Sequence, residues 1–283
     1  MATEHTEDTE NNSKKFKMSS LTDNYAEVIQ KHRGWLQNFG KQRLKKWEDL
    51  LKNNPEAAIC EAKTRKLLSD HNVIVEPYED LSTGGPDFVC TKDSKTFYVE
   101  TTCISIEAAT KESDLYPTDS PEVDDSAYRN MTEKFRSEIT RKTKQCSKVK
   151  APRIVVVATL HPKASDCCII DECSVEELLT GTTYITGEIN TRSGRKVGDT
   201  YQSTRLENSV FILPKKGSPN QIEDARNSVS AVLLCGFGLN PLNVIGCLHP
   251  NPNYPFDRSL LPDVKFAILA DGYHYGVLKV EWI

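Results

Sequence analysis

The chain has 283 residues, of which 38% are hydrophobic, and its 36 Lys and Arg residues against 40 Asp and Glu residues give a formal net charge of −4. This length and composition predict one sizeable core. The charge excludes the overall basic field of many nucleic-acid binders, so any such contact must come from a local patch. Nine cysteines without a signal peptide predict a reduced, cytoplasmic protein, and no apolar run is long enough for a membrane span.

The chain order begins with a polar segment and a helical region. Residues 1–17 lack apolar periodicity and are predicted to be disordered. Residues 18–54 form an N-terminal helical extension, with helices predicted at residues 21–39 and 42–51. The remaining residues, 55–283, are predicted to form one α/β domain.

The second helix of this extension carries a basic face. We expect Trp35 and Trp47 to pack on the core or on a partner chain, because burying an indole is a larger gain than burying a lysine stem. The basic residues left exposed are the first candidate nucleic-acid surface: Lys41, Arg43, Lys45 and Lys46. The alternative interpretation is a solvated helix face.

A third helix is predicted at residues 55–71, because Pro55 suits a first helical turn. Glu61 lies on the apolar arc of this helix, at helical spacing from Ala57, Ala58 and Leu68. An acid on a core-facing arc needs a partner, so Glu61 is a candidate functional residue.

A pair of carboxylates follows on a predicted hairpin. Asp87 comes after a Gly-Gly-Pro turn, and Glu100 lies in an apolar strand at residues 97–104, on the same face as Thr102. Residues 91–95 are typical of a turn, so both carboxylates are expected at one edge of a sheet. Such a pair suits a hard divalent ion such as Mg²⁺, which takes one or two carboxylates together with phosphate oxygens.

The next predicted helix, at residues 127–149, places a lysine on its apolar stripe. Tyr128, Met131, Phe135 and Ile139 form this stripe, and Lys142 is the next position on it. A core-facing lysine needs a partner, and the carboxylate pair is the obvious one. The acidic segment before this helix, residues 105–125, is predicted to be a loop that serves either as a lid or as a mobile surface.

The C-terminal half is predicted to be rich in strands. The clearest buried strand is at residues 153–160. A short helix is predicted at residues 174–179 with Ser174 as its N-cap. Further strands are predicted at residues 229–235, 244–248, 266–269 and 275–282. His161 and His249 each precede a proline, which favours turns after strands over a histidine mechanism.

Residues 187–201 predict a basic hairpin. Its cations, Arg192, Arg195 and Lys196, are the second candidate nucleic-acid surface. Exposed hairpins are also basic for solubility alone, which is the alternative.

Together, Pro86-Asp87, the strand-borne Glu100, Glu61 on the preceding helix and Lys142 on the following helix resemble the PD-(D/E)xK nuclease superfamily. The resemblance covers residues 55–160 and implies the restriction-endonuclease-like fold, an αβββαβ core with a mixed sheet, here with extra C-terminal strands. The chain departs from the family at Thr102, where a lysine is usual. Lys142, with Gln145 beside it, resembles the variant in which the lysine lies on the following helix.

The resemblance implies metal-dependent hydrolysis of phosphodiester bonds in DNA or RNA. Asp87 and Glu100 would hold Mg²⁺ or Mn²⁺, Lys142 would orient the attacking water, and Glu61 would bind a second ion or its waters. Thr102 and Gln145 would support the site. The alternative is a catalytically inactive relative that binds nucleic acid or protein. A protein partner or a homo-oligomer stays open, and the discriminating feature is whether Lys142 reaches the Asp87 and Glu100 pair.

Overall fold

A computed structural model describes residues 21–78, 85–113, 125–145, 149–167, 169, 172–239, 242–274 and 277–283. The segment predicted to be disordered, residues 1–17, lies outside these residues. So does most of the predicted acidic loop, residues 114–124.

Three helices come first: α1 (Ala26–Gln37), α2 (Lys41–Asn53) and α3 (Pro55–Asp70). All three were predicted. Pro55 occupies the first turn of α3, and the side chain of Asn54 accepts a hydrogen bond from the Ala57 N–H at 3.2 Å, which caps the helix. Trp47 is buried, as predicted, and the helices share one hydrophobic cluster with the sheet.

The predicted hairpin is present and belongs to an antiparallel meander of β1 (Ile74–Pro77), β2 (Phe88–Lys92) and β3 (Lys95–Ile104). Asp93 and Ser94 form its turn with φ angles of 51° and 60°. Positive φ at both central residues matches the right-handed twist of the strands, and short polar side chains tolerate it.

Residues 105–125 were predicted to be a loop. This prediction is wrong at the start of the segment, where helix α4 (Ile106–Ser113) forms. The Ser105 hydroxyl accepts the N–H of Ala108 at 3.1 Å, and Glu56 of α3 accepts the N–H of Ile106 at 2.6 Å. These bonds satisfy N–H groups of the first turn and stabilise the helix. The next helix, α5 (Asp125–Gln145), was predicted.

The strand predicted at residues 153–160 is β4 (Arg153–Thr159), buried at every position. It is followed by α6 (Pro162–Cys167) and α7 (Glu172–Thr180). The prediction of Ser174 as an N-cap is wrong, because α7 begins two residues earlier. The buried hydroxyl of Ser174 instead accepts a hydrogen bond from Thr132 of α5 at 3.4 Å.

The C-terminal half contains β5 (Thr182–Ile189), β6 (Lys196–Arg205), β7 (Ile212–Lys215), β8 (Ser218–Asp224), β9 (Ala231–Gly236), β10 (Asn243–Leu248), β11 (Lys265–Leu269) and β12 (Val280–Trp282), with short 3₁₀ helices at Leu206–Asn208 and Arg258–Leu260. The predicted basic hairpin is the end of the longer β5–β6 hairpin. The strand predicted at residues 275–282 is shorter, because β12 covers only its last part.

The main sheet is mixed and has the order β1-β2-β3-β4-β9-β10-β11-β12. β4 runs parallel to both of its neighbours, β3 and β9. Helices α1–α3 cover one face of the sheet, and α5 and α7 cover the other. The protein is therefore an α/β protein with a large mixed sheet between two helical layers. No helix in the described ranges is both long enough and apolar enough to cross a membrane.

Candidate active site

The two predicted metal ligands are neighbours across the β2–β3 hairpin. The strand register pairs Phe88 with Val99, so the next position places Asp87 beside Glu100. Gly85 lies in the turn before β2 and has a φ of 147°, a conformation that residues with a Cβ rarely adopt. The carboxylate of Asp87 accepts the backbone N–H of Thr101 at 2.6 Å, where the ladder with β2 has ended.

Burial and two neighbouring carboxylates make ionisation of Asp87 unfavourable. Glu100 is only 3% exposed. Burial first, and then the negative charges of Glu100 and Glu61, raise the pKa of Asp87 well above its usual range. The N–H of Thr101 and the ammonium of Lys142 act in the opposite direction. The charges of Glu100 and Glu61 therefore act on Asp87, and Thr101 and Lys142 offset them only in part.

Lys142 points at the carboxylate pair, as its position on the apolar stripe of α5 predicted. Met131, Phe135 and Ile139 are fully buried under the sheet, which turns the next position of the stripe toward β3. There the ammonium of Lys142 donates a hydrogen bond to Oε1 of Glu100 and forms an ion pair with it. The contact is part of the structure, and the catalytic role of Lys142 stays a prediction.

Thr102, at the usual place of the family lysine, belongs to a second polar network. Its hydroxyl donates to Oε2 of Glu138 at 3.0 Å and accepts from Nη2 of Arg141 at the same distance. Arg141 also donates to Glu138 at 2.6 Å. Sequence reasoning counted Arg141 only among the basic residues of this helix that could contact nucleic acid. Its i,i+3 spacing from Glu138, directly before Lys142, was an available signal for a place in the site.

Glu61 of α3 reaches the same region from the other face of the sheet. Its side chain is 22% exposed, and its Oε1 lies 3.7 Å from Nε2 of the buried His32. Nδ1 of His32 accepts a hydrogen bond from Arg65 at 3.2 Å, so the neutral ring carries its proton on Nε2. Burial lowers the pKa of His32, which favours this neutral form. The imidazole therefore directs an N–H toward Glu61.

These side chains surround a cavity of about 360 Å³, here called the site cavity. The helical residues of its lining are Leu36 of α1, Arg43, Lys46, Trp47 and Leu50 of α2, the N-cap Asn54, Ala57 and Glu61 of α3, and Arg141 and Lys142 of α5. The sheet contributes Pro77 of β1, Asp87 directly before β2, and Thr101, Thr102 and Cys103 of β3. The site cavity thus joins Asp87, Glu61 and Lys142, while Glu100 lies behind Lys142.

The basic residues predicted on α2 divide into two groups. Arg43 and Lys46 line the site cavity. Lys41 and Lys45 are exposed and are not part of its lining. The sequence alone did not separate these two faces of α2.

The second predicted nucleic-acid surface lies elsewhere. Arg192, Arg195 and Lys196 are exposed at the end of the β5–β6 hairpin, which forms its own two-stranded sheet and contributes nothing to the lining of the site cavity. Its contact with nucleic acid stays a prediction. The side chain of Gln145 lies outside the described residues, so its supporting role also stays a prediction.

Within the described ranges, no group of three or more His, Cys, Asp or Glu side chains is arranged to hold a metal ion by itself. A Mg²⁺ site needs fewer protein ligands, because substrate phosphates and waters supply the others. Comparison with protein-family models, with curated proteins and with solved structures found no match.

Proposed function

We propose that this protein is a metal-dependent nuclease of the PD-(D/E)xK type that hydrolyses phosphodiester bonds in DNA or RNA. The observation that carries the proposal is the contact between Lys142 and Glu100, beside Asp87 and next to the site cavity. The order α3, β1, β2, β3, α5, β4, with α4 inserted, agrees with a restriction-endonuclease-like core. The proposed metal ligands, the proposed catalytic lysine and the cavity for the phosphate are thus neighbours.

The carboxylates fit a hard divalent cation such as Mg²⁺ or Mn²⁺. Asp87 and Glu100 are adjacent oxygen donors, and burial first, followed by the charges of Glu100 and Glu61, raises the pKa of Asp87. A bound ion would polarise the scissile phosphate and lower the pKa of a water. Asp87 and Glu100 would hold this ion, and Glu61 lies close enough to Asp87 to influence the pKa of that carboxyl group.

The cations of α5 have separate tasks in this proposal. Lys142 holds Glu100 and provides the ammonium that would orient a nucleophilic water or stabilise charge on the phosphate oxygens. Arg141 is fixed by Glu138 and Thr102, so its guanidinium is oriented before substrate arrives. Thr102 therefore orients Arg141 and needs no charge of its own.

The test is cleavage of a panel of single- and double-stranded DNA and RNA with Mg²⁺ or Mn²⁺. Asp87→Asn and Lys142→Met should each reduce the cleavage rate by about 10²–10³-fold, the loss typical of removing one electrostatic group from an active site. Lys150→Met is the matched control, because Lys150 is exposed beyond the end of α5. Circular dichroism and thermal unfolding would establish that each variant is folded.

The outcomes separate the two functions considered. Cleavage by the wild type that survives in both site variants would place the chemistry elsewhere. Metal-independent binding of nucleic acid, with no cleavage of any substrate, would instead support the catalytically inactive relative.

A further inference from the structure

The site cavity has a size and a lining that select among nucleic acids. We propose that it accepts one unpaired nucleotide, so that the substrate class is single-stranded nucleic acid or an unpaired end. This inference rests on the proposed function, because it names the substrate of the same site.

The site cavity is small. Helix α2 forms one wall of the site cavity and α5 contributes to another, with Glu61 and Asp87 also on its lining. The volume, about 360 Å³, is at the lower end of the range of about 300–1,000 Å³ for ligand pockets. An intact duplex, whose major groove alone is about 12 Å wide, cannot enter such a space. A single nucleotide turned out of a strand matches it better.

The lining of the site cavity combines charged and apolar side chains. The lining includes the cations Arg43, Lys46, Arg141 and Lys142 against the carboxylates Glu61 and Asp87. Cations on both α2 and α5 suit contact with a phosphodiester anion. The lining also contains an apolar part with Leu36, Leu50 and Pro77, which suits the face of a base.

The two faces of α2 offer a direct test of where the strand binds. Arg43 and Lys46 are three positions apart and line the site cavity, with Lys46 also exposed, whereas Lys41 and Lys45 are exposed and are not part of its lining. Binding inside the site cavity needs the first pair. Binding of a duplex along the outer surface of α2 would need the second pair.

The experiment measures fluorescence anisotropy of a labelled oligonucleotide, as a single strand and as the matching duplex, with the full-length protein. Ca²⁺ replaces Mg²⁺, because it uses the same oxygen ligands, and a gel checks that the probe stays intact. The wild type should bind the single strand at least about tenfold more tightly than the duplex. Arg43→Ala/Lys46→Ala should remove this preference and reduce the log–log salt slope for the single strand by about 1.4. Lys41→Ala/Lys45→Ala should retain the preference.

Equal binding of duplex and single strand by the wild type would overturn the inference, as would an equal loss of binding in the two double variants. A nucleoside monophosphate that binds as tightly as the strand would also overturn it, because the ligand would then be a free nucleotide. A cleavage assay of both probes with Mg²⁺ distinguishes a failure of the single-strand inference from a failure of the proposed nuclease activity. Equally fast cleavage of the duplex contradicts only this inference, whereas selective binding without any cleavage contradicts only the proposed nuclease activity.

Discussion

Thr102 stands where the resembled family has a lysine, and its surroundings explain how the position works without one. Its side chain is nearly buried on the same face of β3 as Glu100, and both face α5. α5 brings Arg141 to Thr102 and Lys142 to Glu100, so cationic groups reach this face from a helix instead of from the strand. In the proposed nuclease, the positive charge on this face is therefore supplied by α5.

We expect a lysine at position 102 to compensate for the loss of Lys142, because both positions serve the same face of β3. Adding Thr102→Lys to Lys142→Met should recover at least about tenfold of the lost cleavage rate, because position 102 faces the same side as Glu100. Glu138, which already contacts Thr102, would pair with the new ammonium. The comparison is with Thr102→Met in the same Lys142→Met background, which has a similar length and no charge. Equal recovery by both variants would show that side-chain volume, not charge, restores the site.

His249 follows β10 and is held by two hydrogen bonds to the backbone. Its Nδ1 accepts the N–H of Asn251 at 3.0 Å, so the proton lies on Nε2, which donates to the carbonyl of Ala225 at 2.8 Å. Burial lowers the pKa of His249, and the Ala225 carbonyl and Asp224 oppose this shift only in part. The ring is therefore neutral in the folded protein.

This neutral histidine predicts a loss of stability in mild acid. In the unfolded chain the imidazole has a pKa of about 6.5, so the unfolded state binds the proton first as the pH falls below that value. The contribution to stability is complete above about pH 6.5 and is lost as the pH falls toward the lower folded pKa. Urea unfolding at about pH 7.5 and about pH 5.5 measures the effect. His249→Gln, which keeps a donor for Ala225, should show a smaller pH dependence, and an unchanged dependence would contradict the argument.

At the scale of the elements, the sequence predicted those whose signals are local and strong. β4 is a continuous apolar run with every position buried, and α5 has an apolar stripe of regular helical spacing. The β2–β3 turn needed only polar residues tolerant of positive φ. For these elements the local pattern and the tertiary environment agree.

The elements that were missed depend on distant partners. α4 starts with the local signal of Ser105, but its first N–H also donates a hydrogen bond to Glu56, which lies 50 residues earlier in the sequence. The strand order was equally inaccessible, because β4 pairs with β9 across the α6–β8 segment. Sequence periodicity predicts which face of a strand is buried, and it does not specify the neighbour.

In the candidate site, too, the features with local sequence signals were predicted and those that depend on tertiary packing were not. The acids and Lys142 were found from spacing along each element, because a face of a strand or helix is a local property. The wall formed by Arg43 and Lys46 was not separated from the exposed Lys41 and Lys45, because that distinction depends on how α2 packs on α3. Arg43 is partly buried, whereas Lys41, Lys45 and Lys46 are exposed.

At the scale of the whole molecule, the net charge of −4 conceals a local arrangement of opposite charges. Cations from α2 and α5 line the same cavity as the carboxylates of Asp87 and Glu61. A substrate anion would therefore be drawn to one position by a local field, while the overall charge disfavours non-specific binding of nucleic acid. This distribution is consistent with a nuclease that engages its substrate at the site.

The helical extension predicted at residues 18–54 is the wall of that cavity and also part of the core. Ile29 and Leu36 of α1 and Trp47 of α2 are buried in the same cluster as α3 and one face of the main sheet. Removing these helices would expose the apolar surface of α3 and open the site cavity. An apolar patch of this kind promotes aggregation or loss of cooperative folding.

The last prediction therefore contrasts two truncations of the N-terminus. Deleting residues 1–17, which have the composition of a disordered segment, should leave the thermal unfolding midpoint and the cleavage rate unchanged. Deleting residues 1–54 should give a protein that binds a hydrophobic dye, elutes as aggregate in size-exclusion chromatography and lacks a cooperative transition. If the shorter chain instead unfolds cooperatively at the wild-type temperature, the helices are a separate appendage, and Arg43 and Lys46 cannot be an integral wall of the site.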